Sequence, residues 1–105
     1  MINLIKEKLP QIIEACKQMH VQSLYLFGSG ARHNDYHAQS DLDFLFSFQS
    51  DGTGNLLPPF YDYFDLMFKL EEITGKKVDL VAEKKIKNKF FWKQVFKDRI
   101  TIYEH

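Results

Sequence analysis

Two short stretches of this chain contain residue types that can bind metal ions and phosphate. Residues 26–29 read LFGS, an apolar stretch that ends in Gly-Ser, and residues 40–45 read SDLDFL. Side chains alternate along a strand, so Asp41 and Asp43 are expected to point to the same face. Two neighbouring carboxylates repel each other unless a cation neutralises them, and hard oxygen ligands suit Mg²⁺, particularly where phosphates complete the shell. The alternative is a pair of solvent-facing acids on an edge strand.

A third acid, Asp79, lies within another predicted strand, which reads KVDLV over residues 77–81. An unpaired Asp is costly to bury, so its position in an apolar strand calls for a partner. If this strand lies beside the strand of Asp41 and Asp43, three carboxylates converge. Two metal ions roughly 3.5–4 Å apart would then assist an in-line phosphoryl or nucleotidyl displacement. The alternative is an Asp at a strand end that is satisfied by a turn.

Gly28 and Ser29 are candidates for phosphate binding. Gly has no Cβ, so a ligand can approach its backbone closely. Ser29 is expected to cap a short helix over residues 30–33, whose N-terminal amides favour anions, and its hydroxyl adds a donor. Arg32 would lie on this helix and meet a triphosphate tail, or else remain an exposed surface residue.

Apolar periodicity and turn residues predict the elements that position these groups. A helix is expected over 2–19, with Pro10 either starting its main part or following a short first turn. Strands are expected over 21–27, 42–48 and 78–81, with a short edge strand over 99–103. Further helices are expected over 60–74, ending at Gly75, and over 86–97. The remaining stretches, 33–40 and 49–59, are predicted loops. The order predicts an α/β (α+β) domain in which helices pack on a small mixed sheet.

The helix over 60–74 is expected to group three phenylalanines and a methionine on one side, with a row of aliphatic residues beside them. The first group contains Phe60, Phe64, Met67 and Phe68, and the aliphatic row contains Leu66, Leu70 and Ile73.

Composition narrows the possible classes of protein. With 105 residues, the chain is expected to be a single domain over 1–105. The formal net charge is zero, which argues against a generally basic nucleic-acid binder. The single cysteine, Cys16, fits the reducing cytosol, so a cytoplasmic location is expected. No signal peptide is apparent, and the apolar runs are too short to span a membrane.

Residues 84–97 are rich in lysine and aromatic residues and allow two interpretations. Lysines interleaved with aromatic rings can bind nucleic acid. The favoured interpretation is an amphipathic helix with aromatic residues in the core and lysines in water. The segment has more large apolar residues than one helix face needs, so some of them are candidates for contact with a partner protein.

The joint pattern of strand, Gly28-Ser29, short helix, loop, Asp41-x-Asp43 and Asp79 resembles the minimal nucleotidyltransferases of the DNA polymerase beta-like superfamily. The resemblance extends over nearly the whole chain, including residues 24–27, 75–81 and 102–104. It implies that Asp41 and Asp43 hold two Mg²⁺ ions. It also implies that Asp79 completes the shell of the catalytic metal and helps to activate the attacking hydroxyl, and that Gly28 and Ser29 bind the triphosphate.

Small stand-alone members of this group look like antitoxins whose partner is a helical HEPN-domain ribonuclease toxin. The resemblance therefore implies transfer of AMP from ATP to a protein hydroxyl, typically a tyrosine of the toxin. Two departures stand out, because Gly30 replaces an arginine found in many relatives and the loop from Gly28 to Asp41 is long and polar. The chain is expected to lack the second helical domain with which antibiotic nucleotidyltransferases hold small substrates. The acceptor is therefore expected at a partner surface or at a subunit interface of a homo-oligomer.

Two other functions remain open. The chain could be a binding module of the same fold that neutralises a toxin by contact alone, as Gly30 and the aromatic C-terminal helix suggest. Nucleic-acid binding through the basic helix is the weaker alternative.

Overall fold

The structure is a computed structural model that describes residues 2–31, 41–53, 55 and 61–105, apart from the Ser29 side chain. Its elements in chain order are helix α1 (Asn3–Gln18), strand β1 (Val21–Phe27), a 3-10 turn (Gly28–Gly30), β2 (Leu42–Phe48), α2 (Tyr63–Thr74), β3 (Val78–Ala82), a second 3-10 turn (Glu83–Lys85), α3 (Lys89–Asp98) and β4 (Ile100–Glu104).

The four strands form one mixed sheet in the order β3-β2-β1-β4. Strand β1 pairs antiparallel with both β2 and β4, whereas β2 and β3 run parallel. The parallel pair requires a crossover, which α2 supplies between β2 and β3. The expected α+β class with a small mixed sheet is confirmed, and so is the edge strand at the C-terminal end.

Helix α1 continues through Pro10 rather than starting there or breaking into two parts. A proline inside a helix removes a hydrogen bond and costs about 3 kcal/mol or more in isolation. Here Pro10 is exposed, while Ile5 and Ile12 on either side of it are fully buried. Because both halves of α1 pack into the same core, that packing holds them in one helix.

The two faces of the sheet are covered differently. On one face, β2 contributes Leu42, Phe44 and Phe46 to a core closed by α1 and α2. On the other face, Tyr25 and Leu45 pack against Val95 of α3. Strand alternation therefore separates a large core from a smaller cluster that a single helix covers.

Helix α2 begins at Tyr63, later than expected, because Asp62 and Asp65 form a capping box at its start. Its buried side chains are Leu66, Leu70 and Thr74. The rings of Phe64 and Phe68 point outward: Phe64 is 57% exposed and Phe68 is 59% exposed. The two rings stack on each other, with centroids 6.2 Å apart. Phe60 lies outside the described residues.

Cap residues explain the other helix boundaries. Gly75 ends α2 in the left-handed conformation, as expected, with φ of 68°. Helix α3 begins at Lys89 rather than at residue 86, because the Asn88 side chain accepts hydrogen bonds from the backbone N–H groups of Phe90 and Phe91. Among the described residues, no helix combines the length and the apolar character needed to cross a membrane.

Candidate functional site

Asp43 and Asp79 occupy paired positions on neighbouring parallel strands. Paired residues on adjacent strands project from the same face of a sheet and lie about 4.8 Å apart across the strands. Asp43 is half-buried and Asp79 is exposed. From the sequence, the proximity of these two acids depended on an unknown strand order. The structure supplies that order by placing β2 beside β3.

Asp41 stands one residue before the start of β2 and is exposed. By strand alternation it belongs to the same side of the sheet as Asp43. The chain is anchored here because the Leu42 N–H donates a 3.0 Å hydrogen bond to the carbonyl of Lys77. Within the described ranges, no group of three or more His, Cys, Asp or Glu side chains is placed to hold a metal ion. The structure thus pairs Asp43 with Asp79, and Asp41 borders that pair without completing a three-ligand cage.

Gly28 lies directly against Asp43, one member of the acid pair. A Cβ added at Gly28 would overlap the Asp43 carboxylate and lie 3.2 Å from its Cγ. The φ of Gly28 is +69°, a conformation that other residues rarely adopt. Its carbonyl accepts a 3.1 Å hydrogen bond from the Ala31 N–H, which closes the 3-10 turn. Only glycine meets both requirements here, the left-handed backbone and the space beside Asp43.

Ser29 does not take the N-cap position of the described turn, and the expected helix over 30–33 runs into residues outside the described part of the chain. The turn begins at Gly28 and has Phe27 at its N-cap position, so Ser29 lies within the turn. The positive φ of Gly28 lets the chain tighten directly after β1, one residue before the expected cap. Arg32 lies outside the described residues, as does most of the loop that leads to Asp41.

Gly30 has a packing role that sequence reasoning missed. It is buried, and a Cβ at this position would lie 3.3 Å from Leu26 Cδ1 and 3.4 Å from Leu42 Cδ2. Both leucines belong to the fully buried core. A larger residue at position 30 would therefore require these side chains to move.

Two aromatic residues that the sequence did not single out border the acids. Phe27 pairs with Asp43 across β1 and β2, so both project from the same face. The Phe91 ring of α3 meets the Phe27 ring edge to face, with centroids 5.8 Å apart. The first turn of α3 therefore adjoins the row that contains Asp43 and Asp79. Alternation along β1 was a partial signal, since it places Tyr25 and Phe27 on one face of the strand, and the pairing with β2 makes that the face of the acids.

The donor set fits a hard divalent cation. The paired groups present only carboxylate oxygens, and Mg²⁺ in proteins is commonly held by one or two carboxylates with water and substrate phosphates filling the other positions. The missing Cβ at Gly28 makes room for the Asp43 carboxylate, which lies directly against the backbone of the turn. Asp43 and Asp79 would hold the ion, and the Gly28 turn would face the phosphates.

Comparisons with known proteins agree on one family. Residues 10–105 match the family model described as polymerase beta, nucleotidyltransferase. A curated protein of Methanocaldococcus jannaschii, named as a candidate protein adenylyltransferase, is 36% identical and covers 93% of this chain and 94% of its own length.

Solved structures agree on the fold. One described as a candidate minimal nucleotidyltransferase superposes with a TM-score of 0.71 at 27% identity, over 94% of this chain and 95% of its own. One chain of the complex between a tri-AMPylated Shewanella oneidensis HEPN toxin and its MNT antitoxin superposes with a TM-score of 0.62 at 19% identity. That match covers 95% of this chain and 72% of that one.

Proposed function

Since this chain belongs to the polymerase beta nucleotidyltransferase family, we propose that it transfers AMP from ATP to a hydroxyl group of another protein in a Mg²⁺-dependent reaction. The observation that supports this best is the pairing of Asp43 with Asp79 on one sheet face, with Gly28 against the Asp43 carboxylate. This arrangement combines two carboxylate ligands for a divalent cation with a tight glycine turn that lies against one of them.

The proposed reaction is an in-line displacement at the α-phosphorus of ATP. The acceptor oxygen forms a bond to this phosphorus, the bond to the bridging oxygen of pyrophosphate breaks, and pyrophosphate leaves. Bound Mg²⁺ supplies charge neutralisation on the phosphates. Asp79 is exposed, so it can be reached by an acceptor hydroxyl, whose proton it takes directly or through water. The Asp43 carboxylate, held beside Gly28, would hold the ion against which the α-phosphate is positioned.

We also assign Asp41, Ser29 and Arg32 to this site. Exposed Asp41 lies on the same side of the sheet and adds a third negative charge for a second ion. Ser29 lies inside the 3-10 turn that begins at Gly28, at the phosphate end of the site. Arg32 follows this turn in the chain and would meet the triphosphate.

The proposed acceptor is a helical HEPN toxin, which would make this chain an antitoxin. A complex of a tri-AMPylated HEPN toxin with an MNT antitoxin contains a chain of the same fold, and a relative 36% identical to this chain is named as a candidate protein adenylyltransferase. The reaction would take place in the cytoplasm, where ATP is available and a free thiol such as Cys16 stays reduced.

A transfer assay tests this proposal. The protein is incubated with α-labelled ATP, Mg²⁺ and the protein encoded by the adjacent reading frame, and label on the acceptor is measured. We expect transfer to fall by about a thousandfold in Asp43→Asn and in Asp79→Asn, because each substitution removes a ligand charge. Glu72→Gln is the matched control, since Glu72 is an exposed acid on α2. Undiminished transfer by both Asp variants would refute the proposed site.

One observation favours a second function, neutralisation by contact alone. Gly30 packs against Leu26 and Leu42, so the arginine of many relatives has no equivalent at this position. If Asp43→Asn still protects cells that produce the toxin, contact is sufficient for neutralisation. Loss of protection in the same variant, with the complex still formed, shows that the transfer reaction is needed.

A further inference from the structure

The outward side of α3 forms a basic ridge with one exposed aromatic ring. We define this α3 ridge as Lys89, Phe90, Lys93 and Lys97, all of which are exposed. These residues lie on the side of the helix opposite Val95, which is buried against the sheet. Phe90 is 79% exposed, the highest value among the large apolar side chains in the described part of the chain.

Charge is distributed unevenly along the chain. Residues 83–99 contain seven of the 14 basic residues but only two of the 14 acidic ones. The remainder of the chain is therefore acidic, and the zero net charge conceals one strongly basic segment. Three lysines of the ridge follow one another at intervals of four residues and span about 12 Å along the helix.

The α3 ridge starts next to the candidate site. Phe91 follows Phe90 in the chain and meets the Phe27 ring, and Phe27 pairs with Asp43. A protein segment seated on the ridge therefore lies on the same side of the sheet as Asp43 and Asp79. We propose that the α3 ridge is the docking surface for an acidic segment of the acceptor protein, with Phe90 inserting into an apolar contact. This inference rests on the proposed function for the identity of the acceptor.

The structure favours a protein segment over a nucleic acid. A protein that makes about six to ten phosphate contacts binds nucleic acid with a steep salt dependence, and the ridge provides three lysines for such contacts. Base stacking needs successive open rings, but the Phe96 ring already contacts Trp92 and the guanidinium of Arg99, whose Cζ is 4.1 Å from the ring centroid. Phe90 is then the open ring of the ridge, and one open ring does not provide a row on which successive bases stack.

Peptide binding tests the docking surface separately from catalysis. The probe is a fluorescein-labelled peptide in which glutamates flank one tyrosine, and its binding to the full chain is followed by anisotropy without ATP or Mg²⁺. A peptide with glutamines in place of the glutamates is the negative probe. We expect binding to the acidic peptide to weaken by about tenfold or more in the variant K89E/K93E/K97E, and to weaken when salt is raised from about 50 to about 200 mM.

Matched variants separate the ridge from general charge effects. K6E/K8E/K17E changes three lysines of α1, on the other side of the sheet, and should bind the acidic peptide like the wild type. Helix propensities of Lys and Glu are similar, so both triple variants should keep their helices by circular dichroism. Phe90→Ala should weaken binding severalfold, whereas Phe64→Ala, which removes an exposed ring of α2, should not.

Three results would overturn the inference. The first is equal loss of peptide binding in both triple variants. The second is tighter binding of a single-stranded DNA of the same charge than of the acidic peptide, which would assign the ridge to nucleic acid. The third is self-association that K89E/K93E/K97E abolishes in sedimentation while the wild type binds no peptide, which would assign it to a second copy of the chain.

The Asp43→Asn variant distinguishes docking from activity. It should bind the acidic peptide as the wild type does. If the peptide binds and no transfer assay succeeds, the docking surface stands and the proposed function fails. If transfer occurs but charge reversal on the ridge leaves the KM for the acceptor unchanged, the docking surface alone is refuted.

Discussion

The two faces of the sheet are built from the same strands but are covered to different extents. Leu42 and Phe44 project from β2 into a core that α1 and α2 close completely, and both are fully buried. Their neighbours Asp43 and Leu45 project from the other face, where a single helix covers Leu45 and leaves Asp43 half-buried. A strand needs only its period of two to combine a stabilising face with a face that is open for binding.

The two faces contribute differently to the free energy of the folded protein. Burial of apolar surface on the closed face stabilises the fold in proportion to the area removed from water. On the open face, Asp43 and Asp79 occupy paired positions, and carboxylates placed in this way repel each other less when a cation lies between them. A region left without full cover can hold such a pair because the rest of the domain supplies the stability.

The largest expected effect is a loss of stability on shortening one of two adjacent side chains, which project from opposite faces of the sheet. Phe44 and Leu45 are both fully buried, but Phe44 belongs to the large core and Leu45 to the small cluster under α3. We expect Phe44→Ala to lower the free energy of unfolding by about 3–5 kcal/mol and Leu45→Ala by about 2 kcal/mol, the low end of its class. Urea denaturation measures both. A loss for Leu45→Ala equal to that for Phe44→Ala would show that the α3 face carries as much of the stability.

The second prediction concerns the close contact between Gly28 and Asp43. Gly28 and Gly75 have nearly the same positive φ, 69° and 68°, but only at Gly28 would an added Cβ meet another atom, the Asp43 carboxylate. We expect each Gly→Ala substitution to cost about 1–2 kcal/mol of stability from backbone strain. Gly28→Ala should in addition weaken binding of Mg²⁺-ATP and nucleotide transfer, because it displaces Asp43.

Gly75→Ala is the control for that backbone strain. Isothermal titration with ATP and Mg²⁺, together with urea denaturation, separates the effect on binding from the effect on stability. Equal nucleotide binding by the two alanine variants would contradict the role assigned to the space at Gly28.

The sequence predicts the strands well because they follow from alternation and turn residues. Strands β1 and β2 have the expected bounds, and Gly75 ends α2 as its φ requires. Boundaries that depend on tertiary packing were harder to predict. Pro10 remains inside α1 because buried residues on both sides hold it there, and the outward position of Phe64 and Phe68 reflects which side of α2 meets the sheet.

The candidate site was only partly predictable for the same reason. Asp41 and Asp43 are linked by local alternation, which a sequence contains. The proximity of Asp79 depends on strand order, and that is a property of the whole fold. The overlap of a Gly28 Cβ with Asp43 and the packing of Gly30 against Leu26 are contacts between separate elements. No local pattern encodes such contacts.

A smaller effect on stability is expected from the hydrogen bond between Tyr25 and Glu104, on the side of the sheet that α3 covers. The Tyr25 hydroxyl donates a 2.7 Å hydrogen bond to Glu104 Oε1, and the Arg99 guanidinium lies 4.3 Å above the Tyr25 ring. We expect Tyr25→Phe to lower the free energy of unfolding by about 1 kcal/mol. Glu104→Gln keeps an acceptor for the hydroxyl and should cost less. If Glu104→Gln destabilises the protein more than Tyr25→Phe does, the charge of Glu104 matters more than this hydrogen bond.

The smallest effect on stability appears only at high pH and tests whether water is excluded from the core around Cys16. Burial raises the pKa of the Cys16 thiol from 9.0 to about 12. Above pH 9 the unfolded chain releases this proton while the folded chain keeps it, so the unfolded state binds fewer protons and stability falls as pH rises. Between pH 8 and pH 10 the wild type should lose about 1 kcal/mol more than Cys16→Ala, as measured by urea denaturation at each pH. Parallel loss in the two proteins would mean that water reaches Cys16, and the closed face would then differ less from the open one than its burial indicates.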